Sequence, residues 1–291
     1  MRPIDRRPRA LIVLATLVLA GASACAVAAQ PEPMTGTWSI ESTPSSSEMQ
    51  VGLTYRTGQD SDEESHAVPF DPATFPGLDR STLQSDSRAV RFTIVRDAGS
   101  FACDGAFRGG AGSGVFTFEP SDAYARAVAA RGLGALDPGD QLRLAMSDMT
   151  LSTIDLLLAT HVSGLSGHEL VRLADHGVSG NYVRSIEASG VRPQSTDDWV
   201  ALLDHGVDAA FAAGLVRDGF HPSVDDLVQL RDHGATTAFV DGLIRDGYHP
   251  SVDDVVRLCD HGVTLAFIAD LRAHGYDPSI DDLIRLRDTG M

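Results

Sequence analysis

The C-terminal part of this chain is written in a repeating unit. Ser251–Pro278 reads SVDDVVRLCDHGVTLAFIADLRAHGYDP, and Ser223–Pro250 reads SVDDLVQLRDHGATTAFVDGLIRDGYHP. Looser copies occupy Gln194–Pro222 and Leu165–Pro193, and another opens at Ser279 as SIDDLIRLRDTG. Asp-His-Gly begins at Asp175, Asp204, Asp232 and Asp260, a period of 28–29 residues that falls in the range of helical solenoids. A unit this short holds no core of its own, since chains below about 40 residues usually need staples. Neighbouring units must supply one another's interior. The half-copy from Ser279 reads as a cap, because terminal units need a polar outer face.

Each unit reads as two short helices, A and B. Ser251 is an N-cap with Asp254 three residues on, and S-x-x-[DE] recurs at Ser166/Glu169, Ser195/Asp198, Ser223/Asp226 and Ser279/Asp282. Helix A runs to Asp260-His261, and Gly262 supplies the left-handed residue that ends it, followed by apolar Val263. Thr264 caps helix B, whose Phe267, Ile268 and Leu271 form an apolar stripe. Gly275 ends helix B, and Pro278 fixes the turn into the next unit.

Upstream the period changes. Thr37–Ile40, Met49–Arg56, His66–Phe70, Ala89–Arg96, Ser100–Phe107 and Gly114–Glu119 are strand candidates. Val51/Leu53/Tyr55 and Val90/Phe92/Ile94 each set three apolar side chains on one face. Asp97-Ala98-Gly99 and Gly109–Gly112 mark tight hairpins, which makes an antiparallel meander. Gln59–Ser65 reads as an acidic loop, and Pro72–Ser87 as a long connection with room for a helical turn. Pro120–Gly164 reads as degenerate repeats, with Tyr124, Val128 and Gly132 superposing on Phe267, Leu271 and Gly275. The predicted fold class is α+β: a signal peptide over 1–29, an antiparallel β domain over 34–120, and an α-solenoid of about 28-residue units over 121–291. Sheet and solenoid are expected to pack as one body, with no flexible linker.

Residues 1–29 carry Arg2, Arg6, Arg7 and Arg9, then an apolar run from Leu11 to Ala20, then small residues to Ala29. That is the order of a cleavable export signal. Ala22-Ser23-Ala24-Cys25 also resembles a lipobox, which would make Cys25 a lipid anchor. The chain is therefore expected in the periplasm or secreted, with an envelope lipoprotein as the alternative and no membrane span after cleavage. After cleavage Cys103 and Cys259 remain, and the alternation around Cys103 favours a buried strand thiol over a bridge. A net charge of -17 argues against nucleic acid. The basic residues are all Arg, which removes Lys-based covalent chemistry.

Catalytic and metal motifs fail on spacing. His176, His205, His233 and His261 form a tempting ladder, but a His at a helix C-terminus first meets the dipole's negative end and orphan carbonyls. Stacked helices stand about 10 Å apart, too far for two such His to share a zinc ion. His168-Glu169 begins H-E-x-x-H, but Arg172 takes the second His position. Gly110–Gly114 lies between strands, not ahead of a helix. Reading Arg217–Leu227 as an EF-hand puts Gly214 and Val216 at ligand positions. No catalytic, cofactor-binding or metal residue is assigned, and the chain is expected not to be an enzyme. The candidates for partner binding are the arginines Arg217, Arg245 and Arg272 near the ends of B helices, with Arg257 and Arg285 on A helices.

The units, with D-H-G-V-T…F-I…L-R…G-Y…S-x-D-D-L-x-R-L-R-D-H-G, resemble helical repeats of bacterial exported proteins, including those that follow the membrane domain in beta-lactam-sensor-type metallopeptidases. The resemblance covers Ser121–Met291 and implies the repeat fold without an attached activity; the catalytic H-E-x-x-H domain has no counterpart. Gly36-Thr37-Trp38 resembles the G-x-W opening of lipocalins, which implies an apolar small molecule held behind Trp38. The leading expectation is a non-enzymatic protein-interaction module, and the lipocalin-like binding domain is its alternative.

Overall fold

The structure, a computed structural model, describes residues 34–41, 49–56, 63–70, 78 and 88–290. The expected export signal over 1–29, with Cys25, and nearly all of the 72–87 connection lie outside the described residues. Pro33–Met291 forms one compact unit. The fold is α+β: an antiparallel sheet followed by a helical array.

Among the described residues six strands make the sheet: β1 (Met34–Glu41), β2 (Met49–Arg56), β3 (Glu63–Phe70), β4 (Arg88–Arg96), β5 (Gly99–Arg108) and β6 (Ala111–Pro120). Their order is β3-β2-β1-β6-β5-β4, with every pair antiparallel. Arg108 pairs with Ala111, which leaves Gly109 and Gly110 as a two-residue loop at φ 60° and 83°. A type I′ hairpin demands such left-handed angles, and glycine adopts them without cost. β3 begins at Glu63, so Glu63–Ser65 pair with Arg56–Thr54 and are not part of a loop. Once β2 runs to Arg56, its free backbone groups extend the ladder over polar residues too.

One face of the sheet is buried. Trp38, Ile40, Leu53, Phe92, Ile94, Phe101, Phe116 and Phe118 are each at most 2% exposed. The alternate residues Val95 and Val115 face solvent. Trp38 meets the Phe92 ring edge-on at 5.0 Å and donates from Nε1 to Asp104 O at 3.2 Å. Two glycines make room for it. A Cβ on Gly114 would lie 2.0 Å from Asp104 O and 2.6 Å from Trp38 Nε1, and one on Gly105 would lie 2.4 Å from Trp38 Cζ2.

The helices start directly at the end of β6. They are α1 (Asp122–Ala130), α2 (Pro138–Met146), α3 (Leu151–Ala159), α4 (Gly167–Asp175), α5 (Gly180–Ser189), α6 (Thr196–Asp204), α7 (Ala209–Arg217), α8 (Val224–Asp232), α9 (Thr237–Arg245), α10 (Val252–Asp260), α11 (Leu265–Ala273) and α12 (Ile280–Asp288). Ser121 N donates to Ala98 O at 3.0 Å, Leu151 N to Asp97 at 2.9 Å, and α2 packs on β5 and β6. These contacts hold the array to the sheet.

The caps fall where the unit spacing puts them. Ser166, Ser195, Ser223, Ser251 and Ser279 each accept from the backbone N–H three residues on. At the other end of α10, Val263 N bonds Leu258 O and Gly262 N bonds Cys259 O, both at 2.9 Å. This is the paired bond of a Schellman motif, with Gly262 at φ 66°. Helices then stack two apart in sequence. The even-numbered A helices α2 to α12 pack each on the next, and the odd-numbered B helices α1 to α11 do the same. Leu173, Leu202, Leu230 and Leu258 of the A layer and Ile186, Leu215, Leu243 and Ile268 of the B layer are fully buried. The buried cluster is continuous from Trp38 to Ile284.

Gly114→Ala is expected to destabilise by about 1–3 kcal/mol or more, because neither Asp104 O nor the indole has room to yield. Denaturant unfolding of the variant beside the parent measures this.

Candidate interaction surface

The Asp-His-Gly triplets make a ladder along one edge of the A layer. His176 Nδ1 lies 2.9 Å from Asp204, His205 2.7 Å from Asp232, His233 2.5 Å from Asp260 and His261 2.7 Å from Asp288. A carboxylate only accepts, so Nδ1 carries the hydrogen in each rung. Each His is the C-cap of its own A helix, but its side chain bonds the last residue of the next one. The sequence reading, a cap for its own helix carbonyls, missed this crossing. Arg143 of α2 takes the His role toward Asp175, with Nε at 3.1 Å. The signal was present at the far end: Asp288-Thr-Gly keeps the acceptor where the His is gone. These His side chains are 37–41% exposed, so each rung contributes only a few tenths to about 1 kcal/mol.

Arginines staple the same steps. Arg172 bonds Asp197 of α6 at 2.6 Å and Thr196 at 3.0 Å. Together Thr196 and Arg172 hold the Glu169 carboxyl below its ordinary range. Arg231 donates to Gly206 O at 2.9 Å and lies 4.8 Å over the Phe211 ring.

The five candidate arginines therefore divide. Arg257 bridges to Asp281 of α12 at 2.7 Å, and Arg285 bonds Asp282 within its own helix. Arg272 is drawn inward: its Nη2 donates to Asp246 O at 2.6 Å and its guanidinium lies 5.1 Å over the Tyr248 ring. Arg217 and Arg245 are exposed at the ends of α7 and α9. They are 28 residues apart, whereas the next equivalent position is Ala273. Arg272 stands one residue earlier, about 100° around the helix, which turns it into the stack. The structure thus aligns Arg217 and Arg245 on the B layer and places Arg257 and Arg285 on the A layer.

Near Arg217 the chain opens a cleft of about 210 Å³, lined by Asp218, Gly219, Phe220, Ile244, His249 and Pro250. The Asp218 side chain is only 12% exposed, with Arg217 Nε 3.9 Å from one carboxylate oxygen. No hydrogen-bond donor of the described residues reaches its buried Oδ2. Burial and then the neighbouring Asp241 carboxyl with its charge hold the Asp218 carboxyl above the ordinary aspartate range, against the pull of Arg217.

Cys103 is buried and free, its thiol pushed up to about 12 by burial and then by Asp104. Cys259 is half-buried and also free. Among the described residues, no three His, Cys, Asp or Glu side chains converge as a metal ion needs.

Asp218→Asn is expected to raise the thermal midpoint at neutral pH. A carboxyl whose folded pKa lies above its unfolded value costs stability once pH exceeds the unfolded value, near 3.9. The gain should therefore vanish below about pH 3.9, where both states are protonated, and midpoints recorded from pH 3 to 8 check both limits. Compared with known proteins, the chain matches no family model, no curated protein and no solved structure.

Proposed function

We propose that this chain is a non-enzymatic protein-interaction module exported to the bacterial envelope, binding its partner through the surface of the helical array. The observation that carries the reading is the two-layer stack, whose like helices repeat at a fixed step and set equivalent side chains in line. Extended surfaces of this kind are what solenoids use to bind. Arg217 and Arg245 are the pair that the stack leaves in solvent and in register, and arginine is an enriched interface anchor. Arg257, Arg272 and Arg285 stand behind them as engaged side chains, and the first two hold adjacent units together. The residues around Trp38 are packed ring against ring, which favours a scaffold role for the sheet. Among the described residues no single helix is long and apolar enough to cross a membrane. An envelope address then rests on the export signal or on a lipid at Cys25.

Charge reversal at the two exposed arginines tests the reading without disturbing the core. Arg217→Glu with Arg245→Glu should leave the circular dichroism spectrum near the parent's, with a modestly lower thermal midpoint because Arg217 is removed from beside Asp218. Cross-linked partners recovered from envelope extract should fall at least about tenfold, the scale of one lost interface anchor. An unchanged partner set would contradict this reading.

A further inference from the structure

The six residues that line the cleft at the α7–α9 step have counterparts one unit on. Adding 28 to each gives Asp246, Gly247, Tyr248, Arg272, Asp277 and Pro278. At that second step the equivalent space is occupied from within. Arg272 donates to Asp246 O, lies over the Tyr248 ring, and sets its nitrogens 3.9 and 3.8 Å from the Asp246 and Asp277 carboxylates. At the first step Ile244 stands where Arg272 would be, so that guanidinium is missing while part of its cradle persists, His249 replacing Asp277. Asp218 supplies the carboxylate, Phe220 the aromatic face, and the Asp218 carbonyl is the counterpart of Asp246 O. The carboxylates are moved and not added: Asp241 stands where the next unit has Ala269, and His249 where it has Asp277. One unit back the step is apolar instead, with Ser189, Val191 and Val216 at the equivalent positions, and Val216 lies 3.7 Å from where a Cβ on Gly190 would be.

We propose that this cleft binds an alkylguanidinium cation, the head of an arginine side chain presented by a partner protein, in the manner that Arg272 is held one unit on. Three observations carry it: a cavity, a buried Asp218 oxygen that no donor of the described residues reaches, and an internal guanidinium at the repeat-equivalent place. The two ligand contacts are the ones a guanidinium makes best, charge-assisted bonds to a carboxylate and stacking on a ring. The volume, about 210 Å³, is below the roughly 300–1,000 Å³ of sites for whole drug-sized ligands and suits a single side-chain head. Only the source of the cation rests on the protein-interaction reading; the cradle stands without it.

The test is an amide-resolved NMR titration of the full chain with N-acetyl-arginine-N-methylamide, and with the citrulline analogue as neutral isostere. A chain of charge -17 attracts any cation weakly, so the variants decide. Saturable shifts are expected at Gly219, Phe220 and His249, with the citrulline analogue at least about tenfold weaker. Asp218→Asn should abolish the saturation. Ile244→Arg should abolish it too, and should raise the thermal midpoint by filling the cleft as Arg272 fills the next. Equal binding of the citrulline analogue, or shifts unchanged in Asp218→Asn, would overturn the proposal, and that variant decides alone should Ile244→Arg not fold. An arginine-containing peptide that binds more tightly than the single residue supports a protein source. A peptide that binds no better than the single residue overturns that source. Loss of envelope partners on reversing Arg217 and Arg245, with no saturable arginine binding, would leave the interaction reading standing and remove this one.

Discussion

A nine-residue helix is about 14 Å long and is marginal on its own in water. The described helices of this array have nine residues, or ten in Gly180–Ser189, so none is held by its own backbone bonds. Each packs on the helix two places before it, the helix two places after it, or, inside the array, both. Leu173, Leu202, Leu230 and Leu258 are buried because of that step, and it brings His176 to Asp204 and Arg172 to Asp197. The polar rungs sit on the edge of a stack that apolar burial creates. At roughly 25 cal/mol per Å² of apolar surface, one buried leucine outweighs one half-exposed ion pair. The sheet takes part on the same terms: α2 packs on β5 and β6 as later A helices pack on one another. One continuous core therefore spans strands and helices.

Features confined to one unit were legible in the sequence. Ser251, Gly262, Val263 and Thr264 specify caps through bonds that close within a few residues, so local chemistry sufficed to place them. The six strands were legible for the same reason, through alternation and the two tight turns. What crosses between units was not. The His261–Asp288 bond joins residues 27 apart, and nothing in a single unit says which neighbour a side chain will reach. Arg272 shows the cost of reading position loosely. It is one residue out of register with Arg217 and Arg245, and that residue separates a surface arginine from one that stacks on Tyr248. The start of β3 was misplaced because Glu63–Ser65 look like loop residues, and pairing with β2 overrides their composition.

Departures between otherwise equivalent steps are where a repeat array carries information beyond its fold. Steps filled by Val216 or by Arg272 are closed in different ways, one apolar and one ionic. The step at Ile244 is closed by neither, and the cation beside Asp218 there is Arg217, exposed at the rim and not turned over a ring as Arg272 is. Such a site leaves the stack intact, since the buried Leu215 and Leu243 beneath it are unaffected. Function can then vary at the rim while the core stays uniform, in keeping with a scaffold whose units contact only their neighbours.

The dependence of each helix pair on its neighbours is tested most directly by amide hydrogen exchange on the full chain with and without Leu258→Ala. Deleting this buried side chain from α10 should cost about 2–5 kcal/mol. Protection should fall together in α8, α10 and α12, because the interior lost belongs to all three. Loss confined to α10, with α8 and α12 as protected as before, would contradict the shared interior on which the whole array rests.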